Sequence, residues 1–163
     1  MTATVLLRDP RPGDYGWVVQ AHGAIYTREY GWDDSFEGLV AGIVSDYLKN
    51  RDPVQERCWI AEQDGQNVGA VFCVRQSATV AKLRLLILDP RARGMGVGRR
   101  LVEACIAFAH EKGYRKLVLW TQANLLAARG IYAKAGFKLV ASEPNHAFGT
   151  DLVSETWELD LGQ

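Results

Sequence analysis

Leu85-Leu86-Ile87-Leu88-Asp89-Pro90-Arg91-Ala92-Arg93-Gly94-Met95-Gly96-Val97-Gly98-Arg99-Arg100-Leu101 runs from a strand-forming apolar stretch through a proline stop and a glycine loop into the start of an amphipathic helix. The first amides of a helix have no intrahelical acceptor, and the helix dipole places partial positive charge on them, so this junction is built to hold an anion. Gly94, Gly96 and Gly98 lack the Cβ atoms that would keep an anion off the backbone, and Arg91, Arg93, Arg99 and Arg100 add formal charge. A P-loop is excluded because no Lys-Ser/Thr pair stands at the required place. A dinucleotide fingerprint counted from Gly94 would need a last glycine where Arg99 stands, in a loop after the first strand rather than past mid-chain. What remains is Arg93-x-x-Gly96-x-Gly98 directly after a strand.

Upstream, Thr79 to Leu88 reads as a strand ended by Asp89-Pro90, since proline removes a ladder donor and fixes φ. Cys58 to Gln63 and Asn67 to Arg75 are strand-like runs joined by Asp64-Gly65-Gln66, which is hairpin chemistry, so these three strands should pair antiparallel. Before them, Thr4 to Arg8 reads as a short strand and Asp14 as the cap of a helix that stops near Gly31. Asp34 with Glu37 reads as the start of a second helix, apolar at Phe36, Leu39, Val40, Ile43, Val44 and Tyr47, that ends near Asn50. Downstream, Val97, Leu101, Val102, Cys105, Phe108 and Ala109 make one helical stripe with Gly113 at its exit. Arg115 to Thr121 reads as a buried strand, Leu125 to Ala135 as a helix closed by Gly136, and Phe137 to Ser142 and Leu152 to Leu161 as the last strands. The order β-α-α-β-β-β-α-β-α-β-β predicts an α+β (mixed α/β) fold. Its central sheet, of about seven mostly antiparallel strands, carries one parallel pair across the crossover helix and is flanked by about four helices.

At 163 residues a single domain is expected, and 48% hydrophobic with 23% charged residues excludes a disordered or fibrous chain. No apolar run approaches the roughly 18 residues of a membrane span, and MTATVLLRDPRPGD lacks the basic and apolar regions of a signal peptide, so a cytoplasmic protein without a membrane partner is expected. Cys58, Cys73 and Cys105 are odd in number and lack metal-ligand spacing, which argues against disulfides and against a metal site. Basic and acidic residues balance at 19 each, leaving no net field to draw the molecule onto a nucleic acid. The distribution is uneven: residues 82–116 hold 9 basic against 3 acidic side chains, and residues 139–163 hold 5 acidic and no basic ones. The middle suits a small polyanion and the end suits something basic, unless both are solvated faces.

The glycine loop after Leu-Asp-Pro resembles the pyrophosphate-binding motif of the GNAT superfamily of acetyl-coenzyme A-dependent N-acetyltransferases. Leu117 to Phe137, with Tyr132-x-x-x-Gly136-Phe137 closing a helix, is similar to that family's later strand and helix. Gly31 to Ala41 and His146 to Leu161 resemble the acetyltransferase portion of bacterial MarR-GNAT fusion proteins. The likeness extends over the strand and helix order of the whole chain. It departs at one place: the family often has Asn seven residues before the tyrosine, whereas Asn124 is eight before Tyr132 and Leu125 fills the usual position.

The resemblance implies transfer of an acetyl group from acetyl-coenzyme A to a primary amine of a small molecule, by direct attack in a ternary complex. Backbone groups of Leu86, Ile87 and Leu88 would meet the pantetheine arm and thioester, Arg93, Gly94, Met95, Gly96, Val97, Gly98 and Arg99 would hold the pyrophosphate, and Asn124 and Tyr132 would complete the cofactor site. Tyr132 is the implied acid toward the leaving thiolate, since a phenol of pKa about 10 can donate to a sulfur of pKa about 8.5. The base is open among Glu29, His22, His146, Asp151 and none at all, with Glu29 preferred. Tyr26, Tyr30, Trp32, Trp120, His146 and Phe148 would line the acceptor pocket, whose aromatics suit an apolar body and whose neighbouring acidic segment suits a cation. Alternatives are a catalytically silent acyl-coenzyme A sensor and an acetyltransferase of protein or peptide N-termini; a homodimer is also compatible with the family.

Overall fold

Asp64 and Gly65 both take left-handed backbone angles (φ 54° and 76°), which closes a two-residue hairpin whose twist matches the strands it joins. The computed structural model describes residues 4–162, and this hairpin links β2 (Arg57–Gln63) to β3 (Gln66–Arg75), with Gln63 opposite Gln66. The remaining elements are β1 (Val5–Arg8), α1 (Asp14–Tyr30), α2 (Asp34–Asn50), β4 (Val80–Leu88), α3 (Val97–Glu111), β5 (Lys116–Gln122), α4 (Leu126–Ala135), β6 (Lys138–Ala147) and β7 (Thr150–Asp160). They form one seven-stranded sheet in the order β1-β2-β3-β4-β5-β7-β6. Only β4 and β5, joined by the crossover helix α3, run parallel; every other neighbouring pair is antiparallel. The α+β architecture expected from the sequence is therefore the one observed.

The sheet separates two cores. On one face the α3 stripe of Leu101, Val102, Cys105 and Ala109 packs on Val71, Cys73, Leu83, Leu117 and Leu119. On the other, Val18 and Ile25 of α1 and Phe36, Val40 and Val44 of α2 cover Ile60, Ala70, Phe72 and Ile87. All three cysteines are buried and free.

Several local expectations shift. Asp14 is not the α1 cap; Gly13 takes that place with φ 99°, while the buried Asp14 carboxylate binds Arg8 at 2.7 Å and accepts from Arg11 N–H at 2.6 Å and Asn67 at 3.0 Å. Asp33, rather than Asp34, caps α2 by accepting from Ser35 N–H at 3.0 Å. β6 runs on to Ala147, through Pro144, because β6 is the edge of the sheet and no further ladder needs the missing donor.

Two irregularities open the sheet. Leu85 has φ 55°, and the β3–β4 register jumps from Ala70↔Ile87 to Phe72↔Arg84, so Leu85 and Leu86 together face Val71 in a bulge. β4 and β5 then pair only at Val80–Lys82 with Lys116–Val118 and diverge beyond. β5 continues instead along β7 as far as Gln122 opposite Ser154. The result is a cleft in mid-sheet whose β4 wall, past Lys82, has no strand partner on its β5 side.

Candidate active site

At one end of the cleft lies the glycine loop. Asp89 turns it, accepting from Arg91 N–H at 2.9 Å, and one turn of 3-10 helix over Pro90–Ala92 leads to Gly94 and Gly96, both left-handed (φ 77° and 75°). Among the described residues no backbone carbonyl takes the amides of Gly94 to Arg99; the first bond at this end of α3 is Arg100 N–H to Gly96 O at 3.0 Å. Gly98 serves a different purpose: a Cβ there would stand 2.7 Å from Ile131 Cδ1 and 2.9 Å from Leu88 Cδ1, so its absence lets α3 approach α4 and β4. The arginines are less uniform than the sequence suggests. Arg91 is held by Asp89, Arg93 by Glu29 at 2.7 Å, and Arg100 reaches away to Val5 O at 2.8 Å, while Arg99 is exposed with a loose 3.5 Å partner in Glu103.

From Arg93 a groove of about 90 Å³ runs between β4 and α4, lined by Leu86, Ile87, Leu88, Ala127, Ala128 and Ile131 on those two walls and by Tyr26 and Tyr30 of α1. It meets a cavity of about 120 Å³ with which it shares Tyr26, Leu86, Leu125 and Ala128. Tyr132 of α4 lines that cavity, its side chain buried, and desolvation followed by the nearby Tyr26 and Cys105 pushes its pKa well above the usual phenol value. The phenol therefore stays protonated at neutral pH, so Tyr132 Oη carries a proton that it can donate.

The cavity's other walls come from α1, α2, the splayed strands and the β6–β7 turn: Tyr26, Trp32, Trp120 and Phe148 are there, together with His22, Phe36, Lys82, Arg84 and Gln122. Phe148 takes φ 57°, an uncommon angle for a bulky residue, and is fixed in it by Trp32 and Phe36, each with its ring centroid 4.9 Å away. Its carbonyl accepts from Asp33 N–H at 3.0 Å, which ties the hairpin tip to the α1–α2 junction. His22 donates from Nδ1 to Val18 O at 2.7 Å, and burial lowers its pKa to about 4, so the ring is neutral with Nε2 as a lone-pair acceptor.

Some residues singled out from sequence stand elsewhere. Tyr30 lines the cofactor-side groove, not the larger cavity. Glu29 lines neither and is engaged by Arg93. Exposed His146 pairs with Asp151 at 2.8 Å on the outer hairpin. Asn124 faces Pro144, Asn145 and Val153 on another side of the molecule, and Leu125 takes the place on the groove. No acidic residue of 139–163 lines either cavity; Glu155 is bound by Arg129 at 2.8 Å and Glu158 by Lys116 at 3.2 Å. The expected bias toward a cationic acceptor therefore has no group behind it. Lys82 and Arg84, Gln122 and Phe36 are site residues the sequence reading did not single out. For the two cations a signal exists: they alternate with leucines on a strand inside the sheet, where a charged position needs a reason.

Among the described residues no helix is long and apolar enough to cross a membrane, and no cluster of His, Cys, Asp or Glu fits a metal ion. A bulge-split mixed sheet with a row of unpaired amides at the mouth of the split is the class of architecture that the site defines. The family model for the acetyltransferase (GNAT) family matches residues 19–137, and the chain belongs to that family. It is similar to human N-acetyltransferase 8B, 35% identical over 85 residues, which are 49% of this chain and 37% of that protein. It is also similar to mycothiol acetyltransferase of Cellulomonas flavigena, 30% identical over 115 residues, which are 60% of this chain and 33% of that protein. The chain thus spans about a third of the length of these relatives. In three dimensions it matches yncA of Salmonella typhimurium, solved with its cofactor acetyl-CoA, at a TM-score of 0.76 and 17% identity, covering 98% of this chain and 95% of the other.

Proposed function

We propose that the protein transfers the acetyl group of acetyl-coenzyme A to the primary amine of a small molecule. The observation that carries this reading is the run of unpaired amides from Gly94 to Arg99 at the head of a groove that leads to the cavity lined by Tyr132. Those amides fit a pyrophosphate, because both φ angles and the missing Cβ atoms leave the backbone itself as the donor surface. The free β4 edge past Lys82 offers peptide groups to the amide-rich pantetheine arm. Acetyl-coenzyme A supplies the activated acetyl thioester.

This chain's residues do the rest. The cavity walls exclude water and orient the acceptor, so that its nitrogen forms the N–C bond as the C–S bond breaks. Tyr132 gives its Oη proton to the leaving sulfur and recovers one from the nitrogen, through solvent or a wall group, which leaves an amide and a free thiol. The likeness of residues 31–41 and 146–161 to the acetyltransferase portion of MarR-type fusions supports a bacterial, cytoplasmic setting for this reaction.

The test is acceptor-dependent thiol release from acetyl-coenzyme A across amino acids, polyamines, aminoglycosides and short peptides. Release that is lost in Tyr132→Phe is expected. Tight coenzyme A binding with no release from any acceptor would favour the silent sensor instead.

A further inference from the structure

Lys82 and Arg84 stand on the same face of β4, one pleat apart, and both line the larger cavity. Both are half-buried, yet no carboxylate of the described residues comes within 4.0 Å of either; Asp46 influences Arg84 only from a distance. Burial lowers the pKa of both, and for Lys82 the neighbouring Arg84 adds to it. Two adjacent cations held partly out of water without a counter-charge are an unfinished ion pair.

A second observation points to the same place. Among the described residues three buried side-chain polar atoms have no hydrogen-bond partner: His22 Nε2, Trp32 Nε1 and Gln122 Oε1. All three residues line this one cavity. Nε2 of the neutral histidine and the amide oxygen accept, and the indole donates, so the set asks for a ligand with both N–H and oxygen functions. Around these groups the walls are apolar: Phe36, Leu39, Val40, Ile43 and Trp120.

We propose that the acceptor is an amino acid with an apolar side chain, its carboxylate taken by Lys82 and Arg84, its amine accepted by His22 Nε2 or Gln122 Oε1, and its side chain packed on α2. This rests on the acetyltransferase reading and narrows it. Arg84 stands two residues before Leu86, across the Leu85 bulge, and Leu86 is shared with the cofactor groove. A carboxylate at Arg84 with an amine beside the bulge matches the short separation in an α-amino acid, whereas a polyamine would set like charge against both cations.

The experiment titrates the full chain, saturated with coenzyme A, with N-acetyl-L-leucine and N-acetyl-L-phenylalanine and with the same amides lacking the carboxylate, by calorimetry. The acids are expected to bind at least about tenfold more tightly than their decarboxylated counterparts. Arg84→Met and Lys82→Met should each shrink that ratio while leaving coenzyme A affinity as it is. L-Leucine should likewise be acetylated in preference to isoamylamine. Equal binding of acids and decarboxylated amides, binding of neither, or an unchanged ratio in both variants would overturn the proposal while coenzyme A binding leaves the wider reading in place. Failure of the chain to bind coenzyme A at all would overturn both.

Discussion

Replacing Gly96 with valine separates the two things this glycine does. At φ 75° it sits in the left-handed region, where an L side chain costs about 1–2 kcal/mol and a β-branched one the upper part of that range or more. The cost is conformational and not steric, for the nearest heavy atom to an added Cβ is Arg99 Nη2 at 4.0 Å. A chain of this size is stable by about 5–15 kcal/mol, so the variant folds, with a melting temperature lower by about 4–8 °C for a 2 kcal/mol loss. The ligand effect is separate. If the amides of Gly94 to Arg99 hold a pyrophosphate, displacing even one removes a hydrogen bond to a charged group, worth about 1.5–3 kcal/mol, which weakens coenzyme A binding by about ten- to a hundredfold. Calorimetric titration of coenzyme A into wild type and Gly96→Val, with thermal unfolding of both followed by circular dichroism, reads the two effects. A folded variant that binds coenzyme A with wild-type affinity would refute the amide cradle.

Tyr132→Phe should lower kcat by about 10²–10⁴ while changing coenzyme A affinity little, since only the hydroxyl group is removed and the ring stays; stopped-flow or steady-state thiol release checks this, and an unaltered rate ends the acid role. Asp14 gives a pH prediction. Burial pushes its carboxyl up, but hydrogen bonds from Arg8, Asn67 and the Arg11 amide outweigh that and hold it at about 2, below its usual 3.8. A folded-state pKa depressed in this way contributes about 2 kcal/mol above pH ~4, lost as pH falls toward ~2, and Asp14→Asn should flatten that limb of the urea-midpoint profile. Cys58, Cys73 and Cys105 are buried, and desolvation raises the thiols of Cys58 and Cys105, so native protein should react with no equivalents of a thiol reagent and unfolded protein with all three. Rapid labelling of any one in the native state would contradict their burial.

What could be read in the sequence was local chemistry. Gly136 does close α4 at φ 102°, and the apolar stripe of α3 does face the core. Those features follow from single-residue preferences and helical period, which neighbours in the chain fix. The caps of α1 and α2 missed by one residue because Gly13-Asp14 and Asp33-Asp34 each offer two adjacent candidates, and tertiary partners decide: Asp14 is drawn off by Arg8, and Asp33 is tied to Phe148. Asn124 and Leu125 are likewise neighbours, and the turn between β5 and α4 presents only Leu125 to the groove. Lys82 and Arg84 carried a signal, two charged positions alternating with leucines on a strand inside the sheet, but what they face depends on where β5 parts from β4, which no neighbour in the chain fixes.

The parting itself comes from Leu85. Left-handed angles on a leucine carry a penalty of about 1–2 kcal/mol, so a bulge there persists only where the surroundings over-determine it. Its consequence is geometric: one extra residue against Val71 turns β4 away from β5 after Lys82, freeing a row of peptide groups on the side of the glycine loop and leaving Arg84 on the opposite face of the sheet, toward α2. A regular strand would have paired those peptide groups with β5 and closed the cavity. The same bulge thus makes the edge on which a pantetheine arm can lie and the chamber in which an acceptor can meet it. That is why the glycine loop and the cations of β4 open onto two adjoining cavities though they lie on different sides of one strand.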